Sequence, residues 1–99
     1  MDTNRYLEIL VTDRLGGDKS RVVELFDDDE VYRDLIALDV TGGWLNYKNN
    51  LNDGWHLIEH FGFYDVYYQE RGAILERSRF EKLKEAAAFF YTESGYVGS

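Results

Sequence analysis

The 99-residue chain contains no cysteine, and it has no long apolar run. Without cysteine there are no disulfides and no thiolate metal sites, which fits a reducing compartment. No stretch approaches the roughly 18 apolar residues of a membrane-spanning helix. The N-terminal sequence MDTNRY also lacks the basic and apolar parts of a signal peptide. We therefore expect a cytoplasmic protein without a membrane partner.

Motifs for nucleophilic, phosphate-binding or metal chemistry are missing as well. There is no G-x-S-x-G elbow, and neither Gly-Gly pair is directly followed by the Lys-Ser or Lys-Thr of a phosphate loop. His56 and His60 are four residues apart, but they lie in a strand pattern, where that spacing corresponds to about 13 Å. We expect them to be structural or exposed, with no metal, no cofactor and no enzyme activity. A small enzyme or ligand-binding module is the alternative, and a concave pocket that holds His56 or His60 beside carboxylates with displaced pKa values would favour it.

Basic residues are few. Eleven Lys and Arg stand against 19 Asp and Glu, which gives a formal net charge of −8. Phosphate groups attract cations, so this balance argues against nucleic acid or an anionic membrane as the ligand. It leaves either a well-solvated surface or a surface for a basic protein partner.

The apolar pattern predicts one α+β domain, residues 1–99, whose C-terminal half is the better defined. Alternation and β-forming residues predict a three-stranded antiparallel sheet over about 55–60, 63–70 and 73–79. In the last strand, Ile74 and Glu76 should share one face, while Leu75 and Arg77 share the other. Gly62 and Arg71-Gly72 mark the reversals, and helical spacing then predicts a C-terminal helix over about 80–93 that stops near Gly95.

The first half predicts helices. Thr3 or Asn4 is expected to cap a helix whose apolar face runs from Tyr6 to Leu15, although a strand over 6–12 is an alternative. Residues 20–41 allow two interpretations. One is a single long helix, and the other is a short helix or strand through Phe26, a break, and a helix from about Asp28 closed by Gly42-Gly43. The Asn-rich segment 44–54 predicts a loop or a short hairpin arm.

Acidic residues are concentrated between Glu24 and Asp39, where Arg33 is the only base. Acids at the start of a helix suit its dipole, so a merely solvated helix face explains the pattern as well as a docking surface does. The docking hypothesis is that these carboxylates bind a basic partner, in the extreme case as a mimic of nucleic-acid phosphates. The acids are Glu24, Asp27, Asp28, Asp29, Glu30, Asp34 and Asp39.

Aromatic residues are numerous for so small a core, with eight Tyr and two Trp. We expect some of them to be partly exposed, either as interface anchors or as cladding of one sheet face; these are Trp44, Tyr47, Tyr64 and Tyr68. The predicted partner-binding set is Glu24, Asp27, Asp28, Asp29, Glu30, Asp34, Trp44 and Tyr47.

The last third of the chain, VYYQERG followed by FEKLKEAAAFFY, resembles the C-terminal part of small bacterial immunity proteins of polymorphic-toxin and contact-dependent-inhibition systems. The resemblance implies a non-catalytic protein that binds and neutralises one cognate toxin, often a nuclease. With the acidic balance, it leads us to expect an inhibitor of a basic, nucleic-acid-acting toxin. The alternative is a phage- or plasmid-encoded anti-defence protein, such as an anti-CRISPR or antirestriction nucleic-acid mimic. The matching positions are Tyr67, Tyr68, Glu70, Arg71, Gly72, Phe80, Ala86 and residues 89–91.

Overall fold

A computed structural model describes residues 1–39 and 44–98. Its first element is the helix α1, Thr3–Leu15, which confirms a helix rather than a strand at this position. The cap is Asp2 rather than Thr3 or Asn4, because the Asp2 carboxylate accepts a hydrogen bond from the Arg5 backbone N–H at 2.7 Å. Gly16 ends the helix in the left-handed conformation, with φ 62°.

The second interpretation of residues 20–41 is the one that the structure adopts. A 3₁₀ helix, Lys19–Asp27, is followed by the α-helix α2, Asp29–Leu38. Between them Asp28 is extended, and its side chain accepts a hydrogen bond from the Glu30 backbone N–H at 2.9 Å. An N-cap of this kind starts a new helix and so separates it from the preceding one. The predicted Gly42-Gly43 stop lies outside the described residues.

The α+β class is confirmed, but the sheet has four strands in the order β1-β2-β3-β4 instead of three. The additional strand is β1, Leu45–Asn46, which pairs in parallel with β2, Gly54–His60. The segment 44–54 is therefore not a hairpin arm. The antiparallel part consists of β2, β3 (Phe63–Glu70) and β4 (Ala73–Phe80), close to the predicted bounds.

Both antiparallel connections are two-residue turns with positive φ. The values are 49° and 83° at Phe61-Gly62, and 52° and 80° at Arg71-Gly72. Positive φ at both central positions is the type I′ arrangement, whose twist matches that of paired strands. The reversals predicted at these two places are confirmed.

A bulge in β4 changes which of its side chains share a face. Tyr68 pairs with Glu76, whereas the next residue, Gln69, pairs with Ile74, so Leu75 is the extra residue. Ile74 consequently lies on the same face as Arg77, and both line one shallow basin. The prediction that Ile74 and Glu76 share a face was therefore wrong, because simple alternation does not include the extra residue.

The helix α3, Leu83–Glu93, begins three residues later than the predicted start at 80. Phe80 remains in β4, opposite Tyr64, and its ring lies 5.4 Å from that of Phe89 on α3. The Phe80 side chain therefore contacts α3 although the residue belongs to β4. In the sequence, this apolar residue fits the helical spacing of α3, which is why the predicted helix began too early.

The helices cover one face of the sheet and leave much of the other open. On the covered face, Leu57 and Val66 belong to the same buried core as Ala87 and Phe90 of α3, and α3 contacts both β2 and β3. On the other face the loop 47–53 covers one end, where Gln69 Nε2 donates to the carbonyls of Asn50 and Asn52 at 2.7 and 3.0 Å. Two-layer antiparallel folds commonly have one wet face of this kind.

Candidate protein-binding surface

The N-terminus of α2 carries three exposed carboxylates in succession, those of the N-cap Asp28 and of Asp29 and Glu30 in the first turn. None of them forms an ion pair with a lysine or arginine among residues 1–39 and 44–98. The positive end of the helix dipole favours negative charge here, and Asp28 also caps the helix. These three residues, which we call the α2 acidic turn, keep their charge available to a partner.

Other acids of the predicted cluster are neutralised by bases within the protein. The Glu24 carboxylate lies 2.8 Å from the Arg21 guanidinium, and the Asp27 carboxylate lies 2.7 Å from Lys84 Nζ. Both pairs are exposed, so each contributes little to stability, yet each offsets one negative charge. The predicted acidic surface is therefore smaller than the sequence implied.

Two further acids are engaged in hydrogen bonds. The Tyr6 hydroxyl donates to Asp34 at 2.7 Å, and burial together with this carboxylate raises the pKa of Tyr6 to about 12. Asp39 is buried and accepts from the backbone N–H groups of Tyr47 and Lys48 at 2.6 and 3.1 Å. Asp34 remains partly accessible beside the α2 acidic turn, whereas Asp39 is a structural residue.

The sheet contributes two groups to this surface that the sequence did not connect with it. Glu59 and Tyr64 pair across β2 and β3, and with α2 they bound a cleft of about 100 Å³. Burial and the nearby Glu59 carboxylate raise the pKa of Tyr64. No local pattern links Glu59 to an acidic cluster that lies at least twenty residues earlier. The cleft is lined by Asp29, Tyr32, Arg33, Ile36, Glu59 and Tyr64.

Trp44 lies at the other end of the sheet. It is 53% exposed as expected, but its Nε1 donates to the Ser94 carbonyl at 3.2 Å and its ring lies 5.7 Å from that of Tyr68. Its carbonyl accepts from Trp55 at the start of β2, whereas Glu59 is near the end of that strand. Four residues of strand correspond to about 13 Å, so Trp44 is not next to the α2 acidic turn.

Tyr47 is not a surface residue. It is 2% exposed, and its hydroxyl lies 2.7 Å from that of Tyr91 in the core. The prediction that Tyr47 is partly exposed was wrong, because the partner that satisfies its hydroxyl comes from α3, more than forty residues away. Tyr64 and Tyr68, by contrast, are partly exposed as expected.

His56 has a structural environment. Its ring stacks on that of Tyr67 with centroids 4.7 Å apart, and its Nε2 lies 3.0 Å from Asn50 Oδ1. Burial lowers its pKa, which favours the neutral ring. Among the residues that the structure describes, no group of three or more His, Asp or Glu side chains could hold a metal ion.

A second concavity, of about 490 Å³, lies between α1 and the segment that follows it. Glu8 and Lys19 border it, and the Lys19 ammonium lies 4.5 Å from the centre of the Tyr96 ring. Neither histidine borders this concavity. His60 instead borders the basin that Ile74 and Arg77 line, beside Asp65, and the hydrogen bond from Arg79 lowers the pKa of that carboxyl.

Within the part of the chain that the structure describes, no helix has the length and apolar character needed to cross a bilayer. Comparison with known proteins finds no matching family model, no matching curated protein and no matching solved structure.

Proposed function

We propose that this protein is a non-catalytic inhibitor that binds a basic protein partner through the α2 acidic turn. The observation that supports the proposal is the set of three exposed carboxylates, Asp28, Asp29 and Glu30, which form no ion pair with any residue among 1–39 and 44–98. Asp34 and Glu59 extend the negative surface on either side, and Tyr64 offers an amphipathic ring within it. Such a surface attracts a positively charged partner and accelerates its association.

A nucleic-acid-acting toxin is the partner class that this surface suits best. Its substrate groove has to be positive to bind phosphates, so it is complementary to a row of carboxylates. The resemblance of the last third of the chain to bacterial immunity proteins supports the same role, exercised inside the producing cell. An anti-defence inhibitor of a nucleic-acid-binding effector would use the same surface, and the identity of the bound partner distinguishes the two.

The test is capture of the partner with paired baits. The variant Asp29→Lys/Glu30→Lys reverses two charges of the acidic turn and keeps the Asp28 cap. Asp28 and Asp34 are left unchanged, because their side chains stabilise α2 and bond to Tyr6. The control, Glu81→Lys/Glu85→Lys, makes the same charge change on exposed residues at the start of α3.

We expect wild type and the α3 control to retain the same basic protein from the native host, and to inhibit its nuclease activity equally. The acidic-turn variant should lose both capture and inhibition while its thermal unfolding stays close to that of the control. Equal inhibition by all three proteins, or capture of a partner without nuclease activity or basic charge, would contradict the proposal.

A further inference from the structure

The strand β4 is a free edge of the sheet. It is the last strand in the order β1-β2-β3-β4, so its outer backbone groups pair with no strand among residues 1–39 and 44–98. Its first five residues, 73–77, are all exposed. Unpaired edge groups are able to accept another strand, and proteins usually shorten or cover such edges. Here the edge strand has eight residues and is not short, but the bulge at Leu75 and its charged side chains restrict which segments are able to pair with it.

Two large apolar side chains on this strand face solvent. Ile74 is 43% exposed and Leu75 is 57% exposed. The bulge brings Ile74 to the open face of the sheet, where it lines a basin of about 130 Å³ together with Arg77 and the Tyr67 ring. The edge therefore presents an apolar side chain, Ile74, and a cationic side chain, Arg77, to an incoming segment.

Arg77 lies in this basin beside Asp65, whose carboxylate is already held by Arg79. The Arg77 guanidinium lies 5.5 Å from the centre of the Tyr67 ring, and it forms no ion pair with a described residue. Two residues further along the strand, Arg79 already holds Asp65 through contacts of 2.8 and 3.2 Å. An incoming carboxylate would therefore find its unused partner at Arg77.

Charge opposes the antiparallel pairing of β4 with a second copy of the chain in three registers. Antiparallel pairing of β4 with itself about Arg77 places Arg77 opposite Arg77, and pairing about Ser78 places Arg77 opposite Arg79. Pairing about Glu76 places two copies of Glu76 together. Like charges directly opposite each other destabilise a strand pair, so each of these registers works against a homodimer.

We propose that the β4 edge binds an extended acidic segment of a partner protein, which adds to the sheet as a further strand. Backbone hydrogen bonds to β4 would supply affinity, and a carboxylate opposite Arg77 with an apolar residue near Ile74 would supply selectivity. This site lies on the open face of the sheet and does not depend on the α2 acidic turn.

The probe for this site is a short acetylated peptide in which valine and glutamate alternate. Its binding is followed by the backbone amide signals of the labelled protein in two-dimensional NMR. The site variant is Arg77→Glu, and the matched control is Arg14→Glu, which makes the same charge change on an exposed residue of α1. A peptide in which valine and lysine alternate tests the sign of the charge.

We expect the acidic peptide to shift amide signals mainly in residues 73–80. Arg77→Glu should weaken its affinity by about tenfold, equivalent to about 1.4 kcal/mol, while Arg14→Glu leaves the affinity unchanged. Four results would overturn the proposal: no shifts in β4, equal binding of the lysine peptide, equal affinity of the two variants, or concentration-dependent pairing of β4 with a second copy. Asp29→Lys/Glu30→Lys should bind the peptide like wild type, which keeps this outcome separate from that of the inhibitor proposal.

Discussion

At the scale of single residues, the same side chain type has different roles according to its surroundings. Asp28 and Asp39 both belong to the acidic run, yet Asp28 is exposed while Asp39 is 4% exposed and accepts two backbone hydrogen bonds. A carboxylate that satisfies buried N–H groups is part of the fold, because removing it leaves those donors without a partner.

We therefore predict that Asp39→Ala destabilises the protein by about 3 kcal/mol, because the backbone N–H groups of Tyr47 and Lys48 lose a charged acceptor. Asp39→Asn keeps an acceptor oxygen and should cost less. Chemical denaturation of both variants measures the difference. Equal stability of Asp39→Ala and wild type would show that the Asp39 carboxylate does not stabilise the start of the loop 47–53.

The ion pair between Asp65 and Arg79 leads to a pH prediction. The hydrogen bond from Arg79 lowers the pKa of Asp65 below its ordinary value. A lowered pKa in the folded state stabilises the protein above the unfolded pKa of about 3.9, and the contribution is lost as pH falls through the folded value. Unfolding measured between about pH 2 and 6 should therefore show a weaker acid dependence in Asp65→Asn than in wild type. Identical pH profiles would mean that this pair does not contribute.

At the scale of elements, the antiparallel part of the sheet could be predicted while its fourth strand could not. Two hairpins of alternating residues, each with glycine at a turn, are local signals, and β2, β3 and β4 lie where those signals placed them. The strand β1 has only two residues, and its pairing with β2 is fixed by distant contacts such as Trp55 N–H to Trp44 carbonyl at 2.9 Å. A strand of two residues is too short to show the alternation of apolar and polar residues from which a strand is predicted.

The close approach of β1 and β2 depends on Gly54. Its φ is 124°, and a Cβ at this position would lie 2.5 Å from the Trp44 carbonyl oxygen. We predict that Gly54→Ala destabilises the protein by about 3 kcal/mol, because it combines backbone strain with a clash against backbone. Gly17→Ala is the matched control, with φ 86° and no atom within 4 Å of the added Cβ, and should cost only about 1 kcal/mol. Thermal unfolding of the two variants compares them, and equal losses would show that contact with Trp44 is not the cause.

At the scale of the whole molecule, charge is distributed unevenly over the two faces of the sheet. Among the described residues, carboxylates without an ion pair lie at the start of α2 near Glu59, on the helical side, while Arg77, which also has no ion pair there, lies on the open side. The sequence predicted the acidic helix terminus, since consecutive acids before an amphipathic helix are a local pattern. It could not predict that Lys84 neutralises Asp27, because Lys84 approaches from α3 through tertiary packing, whereas the Arg21–Glu24 pair has a local i,i+3 spacing.

The central claim, that the α2 acidic turn binds a basic partner, is tested most directly by the association rate constant measured against salt concentration. The partner captured from the host is mixed with wild type, Asp29→Lys/Glu30→Lys or Glu81→Lys/Glu85→Lys. Salt screens exposed charges over about 10 Å at 0.1 M, so electrostatic steering fades as ionic strength rises. We predict a rate constant that falls steeply with salt for wild type and for the α3 control, and one that is lower and nearly flat for the acidic-turn variant. Identical salt dependence for the two double variants would contradict the claim, because net charge rather than this surface would then govern association.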